Sequence, residues 1–215
     1  MILAYLKENP SMSWTLRHLG ARLPAYLETH PEFGGRSQRL AVDVANLEWA
    51  YVDAFDGRQL APLTWEDLQA IGRDSTLSLQ PHLRLLAVNY PVDELVLAVR
   101  RETRKSEIVS SAASERRSRG GMYLPSMKRS RLYLAVHRFE ESVYYRPIER
   151  EEFLLLNALR EGLSIAVALG KAFETSELTL ELQATTVQQC FAHASELGWL
   201  CPRLEHEEDP TNLVM

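Results

Sequence analysis

Between Arg100 and Arg131 the sequence carries ten basic residues (Arg100, Arg101, Arg104, Lys105, Arg116, Arg117, Arg119, Lys128, Arg129, Arg131) against three acidic ones (Glu102, Glu107, Glu115), and the hydrophobic rhythm differs on its two sides. The net charge of the whole chain is −5, so the remainder is strongly acidic. With its serines and the Gly120-Gly121 pair, residues 101–130 read as a basic linker. Charge runs of this kind are mostly solvated hinges or the polar ends of helices. The functional alternative is a strip, led by Arg100, Arg101 and Arg104, that docks an acidic partner or a nucleic-acid backbone.

A length of 215 residues fits one large domain or two small ones. Residues 1–100 predict an all-helical N-terminal domain. Leu16, Leu19, Leu23 and Leu27 recur at helical spacing, with Pro24 kinking or restarting the pattern because it lacks an N–H. A longer helix over residues 36–55 carries Leu40, Val44, Leu47 and Tyr51 on one face. Thr64-Trp65-Glu66-Asp67 has the form of a capping box, and Gly72 is a plausible stop. Leu77, Leu79 and Leu83 to Leu86 form an apolar stretch around Pro81, and Pro91 opens a helix through Val92, Leu95, Val96 and Val99.

The second half, residues 131–202, has another pattern. Leu132, Leu134 and Val136 alternate with Tyr133, Ala135 and His137, the period of a half-buried strand. Phe139-Glu140-Glu141-Ser142 is a turn, and Val143-Tyr144-Tyr145-Arg146 returns as a second strand closed by Pro147. Helices are expected over residues 150–160, from an N-cap at Ser164, and from Thr185 or Thr186 to Gly198, with Trp199-Leu200 as a short strand. Hairpin, helix, helix, helix is the order of a winged-helix-type module. The fold class expected is mainly α with a small α+β part, and residues 203–215 read as an acidic, flexible tail.

No apolar run approaches the roughly 20 residues a bilayer span needs. The first eight residues have no basic leader and no small-residue cleavage site, so no signal peptide is expected. Cys190 and Cys201 show no regular spacing, which points to thiols packed as apolar groups in a reduced, cytoplasmic protein.

Catalytic chemistry has no recognisable seat. His18, His30, His82, His137, His193 and His206 never fall at a metal-binding spacing from one another. Cys190 and His193 share a helix face but are half a site at most. Phosphate-cradling glycine loops and nucleophile elbows are missing from the sequence. The expectation is a non-enzymatic protein without a metal or cofactor of its own.

A helix-turn-helix with a wing serves two different ends. A DNA reader places cationic and amide side chains in the major groove. The candidate recognition helix from Thr186 to Leu197 contains no Lys or Arg, although Gln188 and Gln189 are suited to adenine. Phosphate contacts supply most non-specific DNA affinity, so that lack counts against DNA. The same architecture takes up peptides: an extended segment adds to a strand edge by main-chain hydrogen bonds while its side chains enter a groove. Val143, Tyr144, Tyr145, Val187, Phe191 and Ser195 are the candidates for such a groove, although Val187 and Phe191 also suit the core of a small domain.

Ser13-Trp14-Thr15-Leu16-Arg17, Leu40-Ala41-Val42-Asp43-Val44-Ala45-Asn46-Leu47-Glu48-Trp49-Ala50, Leu77-Ser78-Leu79-Gln80-Pro81-His82 and Tyr90-Pro91-Val92 together resemble the BufC/HvfC family. So do Ala135-Val136-His137-Arg138, Tyr144-Tyr145-Arg146, Leu159-Arg160-Glu161-Gly162 and Leu197-Gly198-Trp199-Leu200. The similarity spans residues 1–202, and Leu47-Glu48-Trp49-Ala50 is its most specific part. The N-terminal part of that family carries a DNA-binding label. The resemblance also implies a partner role beside iron-dependent TIM-barrel enzymes that modify cysteines in ribosomally made peptides. In that role the small protein binds the precursor peptide through a winged-helix-type element, and the enzyme holds the metal.

Overall fold

The structure, a computed structural model, describes residues 1–11, 18–107 and 127–202, with the backbone alone for Trp65 and residues 100–107. The first half places α1 at Ile2–Glu8, α2 at Leu23–Thr29, α3 at Gln38–Asp56 and α4 at Trp65–Gln69. Then come β1 (Ser78–Leu79), β2 (Arg84–Val88) and α5 (Val92–Glu107). The second half contributes β3 (Leu132–Phe139), β4 (Ser142–Ile148), α6 (Arg150–Arg160), α7 (Ile165–Phe173), α8 (Leu180–Glu196) and β5 (Leu200–Cys201). The chain is mainly helical with a small antiparallel sheet component.

The all-helical expectation for residues 1–100 is overturned by β1 and β2. Arg84-Leu85-Leu86-Ala87-Val88 lacks the β-branched residues that mark a strand until its last position. It is extended because it pairs with β3, from Arg84↔Val136 to Val88↔Leu132. Long-range pairing overrides weak local propensity here. β1 is recruited the same way, through Ser78↔Cys201 and Leu79↔Leu200.

Sheet order is β2-β3-β4, so the hairpin strand β3 is central. The predicted half-buried strand is buried on both faces. Leu134 and Val136 pack with Leu47, Ala50 and Ala54 of α3 and with Val92 and Val96 of α5. Ala135, pointing the other way, joins Leu155, Leu156 and Leu159 of α6, Ala168 and Ala172 of α7, Cys190 and Ala194 of α8, and Trp199. Alternate residues of one strand thus serve two apolar layers, and each large side chain buried there contributes about 1.5–3 kcal/mol. The sheet joins residues from both sides of the expected 101–130 linker. That stretch is not linker from its first residue, because α5 continues to Glu107.

Local signals set the remaining ends. Pro24 sits in the first turn of α2, where its missing N–H costs nothing. Thr64 and Asp67 form the reciprocal capping box of α4. Gly162 and Gly198, at φ 79° and 63°, supply the left-handed residues that follow α6 and α8. The start of α8 lies earlier than the predicted Thr185 or Thr186. Thr179 is the cap, its hydroxyl accepting the Leu182 N–H. Leu180 and Leu182 are 82% and 52% exposed, so the apolar stripe used to find the helix is blurred in its first turn. The predicted tail, residues 203–215, lies outside the described residues, as do residues 108–126 of the predicted linker.

Candidate functional site

β4 is the terminal strand of its sheet, so among the described residues its outer edge pairs with no other strand. Pro147 fits that position, since a residue without an N–H is tolerated in a sheet chiefly at an edge. Its register against β3, from Tyr133↔Ile148 to Phe139↔Ser142, assigns every side chain of β4 to one of two faces.

Val143 and Tyr145 lie on the α3 side, packed against the layer of Leu47, Ala50 and Val136. The Tyr145 ring stands 6.2 Å from that of Tyr51. Tyr144 takes the opposite face, half-exposed, with its ring stacked 5.9 Å from His137. His137 in turn meets the Trp199 indole edge-on at 5.1 Å. Arg146 follows on the same face as Tyr144, and its Nη2 lies 2.8 Å from Nδ1 and 2.9 Å from Nε2 of His193 on α8.

The helix residues named from the sequence point elsewhere. Phe191 and Ser195 line a groove of about 660 Å³ with Leu68, Ile71, Arg73 and Ile165. Val187 is half-buried on the same stripe one turn earlier. The structure therefore divides the six candidates among three places, the two faces of β4 and the groove beside α8, rather than one groove. At 100° per residue, Phe191 and His193 are about 160° apart around α8, so the helix turns the first to the groove and the second to β4. His193 and Arg146 are the site residues the sequence reading missed as a pair. A helical wheel centred on buried Cys190 and Ala194 contains the signal, since it puts Phe191 and His193 on opposite flanks.

Arg100, Arg101 and Arg104, expected to dock a partner, fall within α5, and their side chains lie outside the described residues.

Electrostatics on the α6–α8 side follow from burial. The His137 imidazole is pushed down to about 4, mainly by desolvation. His82 is lowered for the same reason, helped by the nearby Arg138 charge. Burial raises the Glu152 carboxyl, against the pull of Arg146. It also pushes the Cys190 thiol far up, which makes that sulfur a packing group rather than a nucleophile. Among the described residues no cluster of three His, Cys, Asp or Glu side chains is placed to hold a metal. Likewise, no described helix is long and apolar enough to cross a membrane. No protein-family model and no curated protein matches the chain.

Proposed function

We propose that this chain is a non-catalytic, cytoplasmic peptide-binding subunit. Its hairpin and three following helices act as a winged-helix-type recognition module for a ribosomally made precursor peptide. A partner enzyme of the iron-dependent TIM-barrel type supplies the metal and the chemistry, as the resemblance to the BufC/HvfC family implies. The observation that carries the reading is the edge position of β4. Among the described residues no strand covers its outer backbone groups, which leaves them for strand addition, and half-exposed Tyr144 flanks the path a peptide takes. The cation-free α8 beside it suits a peptide better than a phosphate backbone.

The test is amide hydrogen exchange of the full chain with a cognate precursor peptide, with and without the partner enzyme, alongside calorimetric titration. Protection confined to part of Ser142–Ile148 is the expected result. A saturating complex that leaves those amides exchanging as before removes the edge from the proposal.

The basic run around residues 100–131 favours a second reading, a DNA-binding regulator. A mobility-shift series over rising salt separates the two. Sequence-dependent binding with a steep salt slope supports the regulator.

A further inference from the structure

On the face of β4 that carries Tyr144, Arg146 is an incompletely partnered cation. Its Nη2 donates to the His193 ring. Its Nε is buried and meets no acceptor. Among the described residues no carboxylate forms an ion pair with it. Glu152, in the first turn of α6 and only 7% exposed, interacts electrostatically with it. Oε1 of Glu152 is itself buried without a donor. One seam between the sheet and the helices therefore holds a guanidinium and a carboxyl, each with an unsatisfied polar atom, that do not close on one another. Buried polar atoms in that condition are costly unless something completes them.

We infer that Arg146, braced by His193, selects an acidic side chain, Asp or Glu, at one position of an extended peptide lying along β4. The inference rests on the edge-strand reading proposed above and names the chemistry that edge recognises. A strand added to β4 places one of its residues directly opposite Arg146, with Cβ atoms about 5 Å apart on the same face. A carboxylate there meets the opposite charge of the guanidinium, and a lysine or arginine there meets a like charge. Because Arg146 and His193 are both half-buried, the pairing is less screened than on an open surface. Burial raises the Glu152 carboxyl, with the Arg146 charge opposing that shift.

The test pans a phage-displayed library of random decapeptides against the full chain and against Arg146→Glu, and maps the selected peptides by amide exchange. Peptides that protect Ser142–Ile148 are expected to carry Asp or Glu at one fixed position, and Arg146→Glu is expected to select Lys or Arg there. Replacing that acid by its amide should weaken binding to the native chain at least about fivefold, and to Arg146→Gln by less than about twofold. If Arg146→Glu fails to fold, the affinities of Arg146→Gln for the acid and amide peptides decide the matter. Edge-bound peptides with no acidic preference, or the same consensus from both proteins, overturn this inference and leave the edge reading standing. If no selected peptide protects β4, the edge reading falls and this inference falls with it.

Discussion

The carboxylate of Asp43, in the second turn of α3, accepts the backbone N–H of Asn89 at 2.6 Å. Asn89 directly follows β2, so one hydrogen bond fixes the exit of the strand to the helix that covers it. Asp43 is buried, and Arg39 one turn earlier approaches it at 3.5 Å.

Asp43→Ala is therefore expected to destabilise the protein by about 2–4 kcal/mol, since it leaves a buried amide without its acceptor and removes one of the two carboxylates that Arg39 meets. Urea unfolding followed by tryptophan fluorescence measures this. A midpoint shift equivalent to less than about 0.5 kcal/mol would show that the bond is dispensable.

The hairpin tip stores strain. Glu140 and Glu141 have φ of 44° and 61°, the mirror-image turn that matches strand twist but favours Asn-Gly over other side chains. Replacing the pair by Asn-Gly should stabilise the chain by about 1 kcal/mol and raise the thermal midpoint by a few degrees. Calorimetry of the double variant is the check, and an unchanged or lowered midpoint counts against it.

Two buried imidazoles make stability depend on pH. His137, pushed down to about 4 by burial, and His82, lowered by burial and Arg138, are neutral in the native protein. The unfolded chain takes up those protons near the ordinary value of about 6.5. Below that pH the unfolded state holds more protons, so stability is full above it and falls as pH drops toward 4. A loss of about 2–3 kcal/mol is expected between pH 7 and pH 4.5 in urea titrations, smaller in His137→Gln. A flat profile would mean that neither ring is held neutral by the fold.

Gly57 is required for space. A Cβ on it would stand 2.7 Å from the Asp53 carbonyl oxygen and 2.9 Å from Cα and Cβ of His82. Its backbone, at φ −61° and ψ 145°, suits any residue, so only the contact matters. Gly57→Ala is expected to cost about 1–3 kcal/mol by chemical denaturation, whereas Gly170→Ala, which would meet nothing within 4 Å, should not destabilise.

Much of the second half was readable because its signals are local. The alternation at Leu132–His137 and the glycines at 162 and 198 each act within a few residues. β2 was not readable, because Leu85, Leu86 and Ala87 suit a helix equally well and become strand only against Tyr133, Leu134 and Ala135. The candidate site was half legible for a related reason. The sequence shows that Tyr144 and Tyr145 alternate and that Phe191 and Ser195 share a stripe. Which flank of α8 meets β4 is decided by how Cys190 and Ala194 seat in the core, and the Arg146–His193 contact follows from that seating.

The central position of β3 also governs the order in which a growing polypeptide can mature. When Arg84–Val88 leaves the ribosome, its neighbour in the sheet is still untranslated, and the closure of Leu79 on Leu200 waits for the whole of the intervening chain. Leucine-rich segments from the early half therefore spend seconds uncovered at ordinary elongation rates. That uncovered interval ends only when the middle strand arrives.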